Sequence, residues 1–86
     1  MTELKENEVY RLTIWEECHG LLALYIGKNE EIHSFGYRNP KGEARLLTIP
    51  FKDIITISER QITARRSESN ARGSKKLDMM LEGAKI

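Results

Sequence analysis

Two apolar runs flank a single proline in the stretch Leu46-Leu47-Thr48-Ile49-Pro50-Phe51-Lys52-Asp53-Ile54-Ile55-Thr56-Ile57. Pro50 has no backbone N–H and a fixed φ, so a strand that reaches it leaves its hydrogen-bonded ladder there. The residues that follow leave room for about one helical turn before the second apolar run begins. Two strands joined in this way are typical of small five-stranded SH3-like and Sm-like barrels. The stretch therefore predicts an all-β barrel.

Five segments of strand-like pattern are separated by turn residues at a spacing of roughly ten residues, which predicts a closed meander. In the first segment, Tyr10, Leu12 and Ile14 share one face, and Trp15 lies on the other. Gly36 is expected to form a bulge or bend where the small barrel curls. The five predicted strands are residues 9–17, 21–26, 30–38, 44–49 and 54–58.

Charge is distributed unevenly along the 86 residues. Residues 1–58 carry seven Lys/Arg and nine Asp/Glu, whereas residues 59–86 carry seven and four. A barrel over residues 1–58 is thus expected to precede a basic extension over residues 59–86. Residues 65–73 lack apolar periodicity and predict a mobile linker. A short amphipathic helix is expected after it, with Ser74 as its N-cap and Leu77 and Leu81 on its apolar face.

The remaining composition indicates an intracellular protein. No apolar run approaches the roughly 18 residues of a membrane span, and the polar N-terminal residues do not resemble a signal peptide. The single cysteine fits a reducing compartment, so we expect a cytoplasmic location.

An enzyme is not expected. Cys18, His19 and His33, with the neighbouring Glu16 and Glu17, match no common zinc-ligand spacing. A cysteine next to a histidine in sequence is also not the spatial thiolate–imidazole pair that catalysis requires. The glycines form no phosphate-binding loop. We therefore predict no catalytic residues, no metal and no cofactor.

Aromatic side chains are the strongest candidates for a binding surface. Trp15, Phe35 and Tyr37 are predicted to contact a protein partner, because exposed aromatic residues are common anchors of interfaces. Tyr25 and Phe35 are at the same time candidates for the core.

Two alternatives remain open. In the first, aromatic stacking and phosphate contacts bind nucleic acid, with Arg60, Arg65, Arg66, Arg72, Lys75 and Lys76 as the cations. In the second, edge pairing through the predicted strands 44–49 and 54–58 builds a homo-oligomeric assembly.

Residues 9–58 resemble the YolD-like family of small bacterial and phage proteins. The resemblance lies in Tyr10-Arg11-Leu12-Thr13-Ile14-Trp15, in Tyr25-Ile26-Gly27, and above all in Ile49-Pro50-Phe51-Lys52-Asp53-Ile54. Residues 72–82 are similar to the segment with which family members often begin, but here they follow the barrel. A permuted order and coincidence both remain open for this second match.

The resemblance implies a small Sm-like barrel and a non-enzymatic accessory role in DNA-damage tolerance. The leading hypothesis is therefore a protein-binding module in a DNA-damage or phage context.

Overall fold

The computed structural model describes the chain from residue 3 to residue 86, with only the backbone described at residues 69 and 70. About half of the chain, 52%, lies in strands. The elements in chain order are β1 (Val9–Ile14), β2 (Cys18–Asn29), β3 (Ile32–Arg38), β4 (Ala44–Pro50), a 3-10 turn (Phe51–Asp53), β5 (Ile54–Ser58), β6 (Gln61–Ala64), β7 (Ser69–Arg72) and α1 (Lys75–Gly83).

The predicted stop at Pro50 is confirmed. Pro50 is the last residue of β4 and precedes the 3-10 turn, and β5 begins directly after that turn. The first strand is shorter than predicted and ends at Ile14, because residues 15–17 form a turn in which Glu16 has a φ of 63°.

The prediction of a closed five-stranded barrel is wrong. The described residues form one seven-stranded sheet in the order β5-β6-β1-β2-β3-β4-β7, and the sheet does not close. Two short strands were not predicted. β6 pairs in parallel with β1, and β7 pairs antiparallel with β4. Each of these two strands is only four residues long.

The sheet is strongly curled. Four strands separate β4 from β5 in the sheet order, which in a flat sheet would place them about 24 Å apart at a spacing of about 4.8 Å. The 3-10 turn that joins β4 to β5 allows a reach of at most about 15 Å between Pro50 and Ile54. The two ends of the sheet must therefore bend toward each other, although β5 pairs only with β6 among the described residues.

The concave face of the curled sheet carries the main core. Tyr10, Leu12 and Ile14 point into it, as predicted for the first strand. The full set of buried residues is Tyr10, Leu12, Ile14, Ala23, Tyr25, Phe35, Tyr37, Leu47, Ile49, Ile62 and Ala64. β6 supplies two of these residues, so residues beyond 58 belong to the same core.

Helix α1 covers part of the convex face. Its Leu77 and Leu81 pack with Leu24 in a second apolar cluster. The predicted N-cap is confirmed, since the Ser74 Oγ accepts a hydrogen bond from the Leu77 backbone N–H at 3.2 Å.

Gly36 has a different role from the predicted bulge. The β3–β4 ladder continues without a register shift through the pair Gly36 and Leu46. A Cβ at Gly36 would lie 2.6 Å from the Leu77 Cδ1, so the glycine provides the space in which the helix docks.

An arginine on β3 fastens the helix to the sheet. The Arg38 guanidinium donates to the Asp78 carboxylate at 2.6 Å and to the Ile86 carbonyl at 2.9 Å. Residues 59–86, expected as a linker and a helix, thus supply two strands of the sheet as well as the helix.

Within residues 3–86, no helix has the length and apolar character that crossing a membrane requires.

Candidate functional site: a groove along β5

A groove of about 1010 Å³ runs beside β5. We call it the β5 groove. Its lining is mostly apolar, with four charged side chains, and consists of Glu3, Leu4, Lys5, Glu6, Tyr25, Lys28, His33, Phe51, Ile54, Ile55, Thr56 and Ile57.

Strand β5 forms one side of the groove. Four consecutive residues of this strand, from Ile54 to Ile57, line it. The β5–β6 ladder shifts register between Ile54 and Thr56, so the strand has a bulge at Ile55 beside the groove. β5 is also a terminal strand of the sheet, with β6 as its strand partner among the described residues.

Residues 3–6 form another part of the wall. The Lys5 backbone N–H donates to the Tyr10 hydroxyl at 2.9 Å, and Leu4 packs against the main core. Just beyond this segment, the Asn7 backbone N–H donates to the Tyr25 carbonyl at 2.9 Å. These contacts hold the N-terminal segment beside β2, where it borders the groove.

Three rings line one part of the groove. The Phe51 ring stacks on the His33 ring, with centroids 4.2 Å apart and an interplanar angle of 26°. The His33 Nδ1 lies 2.9 Å from the Tyr25 hydroxyl, so the two side chains share a hydrogen bond. The Tyr25 ring in turn packs against Phe35 at 5.3 Å in the core. The exposed Phe51 is therefore fixed through His33 and Tyr25 to the interior.

The ionisable groups of the three-ring cluster are neutral near pH 7. Burial lowers the pKa of His33, and the nearby Lys28 ammonium lowers it further. Burial raises the pKa of Tyr25, with smaller contributions from neighbouring groups that include Glu6 and Glu3. Uncharged rings therefore form this part of the groove.

Charges at the groove balance. Glu3 and Glu6 contribute two carboxylates, and Lys5 and Lys28 contribute two ammonium groups. Among the described residues, none of these four side chains forms an ion pair within 4.0 Å. β5 itself carries no charged residue. The groove thus has no net charge.

Two large apolar side chains of the groove are open to solvent. Phe51 is 37% exposed and Ile55 is 39% exposed. Exposed apolar side chains that cluster at a concave site, beside an unpaired strand edge, are typical of interaction surfaces.

The three aromatic residues predicted to bind a partner differ in their exposure to solvent. Trp15 is 54% exposed, whereas Phe35 and Tyr37 are 0% and 7% exposed. Phe35 and Tyr37 point into the concave core, so their burial removes them from any exposed surface. The alternative role of Tyr25 and Phe35 as core residues is confirmed.

Two of the six predicted phosphate-binding cations pair with carboxylates. Arg60 pairs with Glu8 at 2.6 Å, and Arg66 pairs with the buried Asp53 at 3.4 Å. Arg72 and Lys75 border a shallow depression that also includes Glu43 and Asp78. The remaining two, Arg65 and Lys76, are exposed.

The edge strands also differ from the prediction. β4, predicted as an edge, is covered by β7, whereas β5 is a terminal strand of the sheet that the described residues form.

Cys18, in the predicted cysteine–histidine segment, is a free and partly buried cysteine. Burial raises the pKa of the Cys18 thiol, which disfavours the nucleophilic thiolate. Among residues 3–86, no three His, Cys, Asp or Glu side chains are placed to hold a metal ion.

Sequence reasoning assigned neither Phe51 nor His33 to a binding site, and it considered Ile55 only as part of the edge strand 54–58. The signals were present, since β5 is an apolar strand without a charge and Phe51 follows the strand-ending Pro50. Nothing in the sequence shows that β6 and β7 would cover other edges and leave β5 open.

Comparison with known proteins identifies no relative, since no protein family, curated protein or solved structure matches this chain.

Proposed function

We propose that this chain is a non-enzymatic protein-binding module and that the β5 groove is its contact site. The observation that carries the proposal is the exposure of Phe51 and Ile55 in a groove without net charge, beside a strand that is terminal in the sheet of the described residues. Burial of large apolar side chains supplies most of the affinity at the centre of protein interfaces. A protein partner bound in this groove would bury Phe51 and Ile55 and gain affinity from that burial.

The resemblance of residues 9–58 to the YolD-like family supports a cellular context for the module. We propose that it acts in the cytoplasm as an accessory factor in DNA-damage tolerance, in a bacterial or phage setting. The proposal rests on the quoted sequence motifs, most of all on the segment 49–54.

A peptide library displayed on phage and selected on the immobilised full-length protein tests the proposed function. Peptides that bind the groove should lose affinity about tenfold or more against Ile55→Lys, because a lysine there replaces an apolar contact with a charge. Met79→Lys is the matched control, since Met79 is an exposed apolar residue on α1. Enriched peptides that bind both variants equally well would contradict the assignment of the groove.

Nucleic-acid binding is a second candidate, favoured by one local observation. The Trp15 backbone N–H donates to the Ala64 carbonyl at 3.1 Å, which brings the exposed Trp15 next to the exposed Arg65. Proteins that bind single-stranded nucleic acid combine aromatic rings that stack on bases with cations that contact phosphates.

Salt dependence distinguishes the two candidates. Binding of single-stranded oligonucleotides should weaken steeply with salt, and Trp15→Ala and Arg65→Ala should both reduce it. Groove binding should depend little on salt and should be unaffected by either variant. We expect the second result.

A further inference from the structure

Helix α1 covers an apolar strip on the convex face of the sheet. The strip consists of Leu24 and Ile26 on β2, Gly36 on β3 and Leu46 on β4, and we call it the convex strip. All four residues lie outside the main core, which occupies the concave face. Removal of α1 would therefore uncover the strip without taking any residue from the main core.

The convex strip is shaped to receive a helix. A Cβ at Gly36 would lie 2.6 Å from the Leu77 Cδ1, so the absent side chain leaves a notch for one leucine of the helix. Leu81 follows one turn later and is fully buried in the same cluster. Beside the strip, the Arg38 guanidinium donates to the Asp78 carboxylate at 2.6 Å. The site thus accepts two leucines four residues apart, with a carboxylate between them.

Helix α1 has little stability of its own. Lys75 and Lys76 lie in its first turn, at the positive end of the helix dipole, and Glu82 lies in its last turn, at the negative end. Charges in these positions oppose the dipole, and Asp78 is the first-turn residue with the favourable sign. The helix also has only nine residues, too few for stability in water without packing. Opening α1 alone therefore costs less free energy than unfolding the sheet.

Helix α1 also leaves one end of this face uncovered. Leu22 lies two residues before Leu24 on β2, and the alternation of the strand puts both side chains on the convex face. Leu24 is 2% exposed, whereas Leu22 is 46% exposed and lies outside the cluster with α1. A longer helix, or one seated nearer to Leu22, would bury more of this face than α1 does.

We infer that α1 is an autoinhibitory helix and that the convex strip binds an amphipathic helix of a partner protein when α1 opens. The partner helix carries two leucines four residues apart and an acidic residue between them, as α1 does. This surface is separate from the β5 groove, so the inference goes beyond the proposed function and does not depend on it.

A partner helix is favoured over the α1 of a second copy. The tethered α1 is held beside the strip at an effective concentration on the order of millimolar. The α1 of a second copy has the same length and the same unfavourable charges, so it gains nothing by replacing the tethered helix. A longer partner helix with an acidic first turn and a basic last turn has a more stable helical state. These differences supply the affinity that displacement requires.

Peptide displacement in the full-length protein tests the inference. The probe is a fluorescently labelled peptide with the sequence of residues 74–86, in which Lys75→Glu and Lys76→Glu make the first turn acidic. It is titrated into the native chain and into Leu81→Ala, and binding is followed by fluorescence anisotropy. Leu81→Ala weakens the docking of α1 and leaves the convex strip unchanged. The probe should therefore bind this variant at least about tenfold more tightly than the native chain.

Two further variants and one altered probe complete the design. Met79→Ala, on the exposed face of α1, is the matched control and should bind the probe as the native chain does. Asp78→Asn removes the half-exposed pair with Arg38 and should raise probe affinity about threefold, which provides the test if Leu81→Ala does not fold. A probe that itself carries Leu81→Ala should bind at least about tenfold more weakly.

Hydrogen exchange of the native chain shows whether the probe replaces α1. In excess probe, the amides of α1 should exchange faster, because the displaced helix loses its packing. The amides of the strands should remain protected, since the main core is untouched.

Four results would overturn the inference. Equal affinity of the probe for the native chain, Leu81→Ala and Asp78→Asn would show that it binds outside the strip. Absence of binding to both variants at millimolar probe would exclude a helix-binding strip. Unchanged exchange of α1 with bound probe would show that the helix is not displaced. A concentration-dependent dimer of the native chain that Leu81→Ala dissociates, measured by analytical ultracentrifugation, would identify the α1 of a second copy as the occupant.

Discussion

At the scale of single residues, Gly73 shows how little space separates helix and sheet. A Cβ there would lie 2.6 Å from the Leu77 Cδ2 and 2.9 Å from the Ala44 carbonyl oxygen. The Gly73 backbone N–H also donates to that carbonyl at 2.8 Å. The close approach of two backbones therefore requires a glycine at this position.

Gly73→Ala should lower the free energy of unfolding by about 1–3 kcal/mol, because the backbone carbonyl of β4 cannot move aside. Chemical denaturation measures the effect. Gly83→Ala is the matched control, since a Cβ at Gly83 meets no atom within 4 Å. The control should be neutral or slightly stabilising, as alanine is a better helix former than glycine. An equal loss in both variants would contradict the close approach.

His33 makes the stability depend on pH. Burial, with help from Lys28, lowers its pKa in the folded state, so the unfolded chain takes up a proton first. The folded state is therefore favoured above the unfolded pKa of about 6.5 and loses this contribution as the pH falls below that value.

When the pH is lowered from 7.5 to 5.5, the urea concentration at the midpoint of unfolding should decrease. The decrease should be larger in the native sequence than in His33→Gln. His19→Gln, at an exposed histidine, should keep the pH dependence of the native sequence. Identical pH profiles for the native sequence and His33→Gln would remove His33 as the cause.

At the scale of elements, helix α1 is held mainly by its contacts with the sheet. A nine-residue helix is too short to be stable alone in water. Leu77 and Leu81 are buried against the convex face, and Arg38 fixes Asp78 and the Ile86 carbonyl. Packing therefore determines whether the helix forms.

Leu81→Ala should cost about 2–4 kcal/mol of unfolding free energy, since Leu81 is fully buried and a cavity would remain. The loss should be accompanied by faster amide exchange across α1. Met79→Ala on the exposed face should change stability by no more than about 0.5 kcal/mol. If Leu81→Ala left both stability and exchange unaltered, the second apolar cluster would not hold the helix.

At the scale of the whole molecule, the residues after Ser58 complete the fold. β6 lies between β5 and β1 and supplies Ile62 and Ala64 to the main core. Without β6, β5 would lose its strand partner and β1 would keep only β2. Residues on both sides of position 58 therefore contribute to one sheet and one core.

A chain truncated after Ser58 should not fold and should show poor dispersion in NMR spectra, because its core would lack β6. A chain truncated after Gly73 is the matched control. It keeps all seven strands and should retain a folded sheet with reduced stability, since only α1 is lost. A folded, dispersed spectrum from the shorter chain would show that residues 1–58 are an independent domain.

The sequence by itself determined the local features of this protein. The fixed φ and missing N–H of Pro50 end β4, alternation places Tyr10, Leu12 and Ile14 in the core, and Ser74 begins the helix. Each of these features depends on the chemistry of one residue or on a short periodicity. Local sequence is sufficient for such features because the responsible atoms are neighbours along the chain.

Tertiary structure alone decided the strand count, the open sheet and the site. β6 and β7 are each four residues long, and the alternation of Ile62 and Ala64 in β6 does not identify β1 as the strand with which it pairs. Their pairing leaves β5 and β7 as the two terminal strands of the sheet that the described residues form, and the curl of the sheet turns Phe35 and Tyr37 inward. Which apolar side chains remain exposed is settled by contacts between distant segments, and those contacts are not encoded in any local pattern.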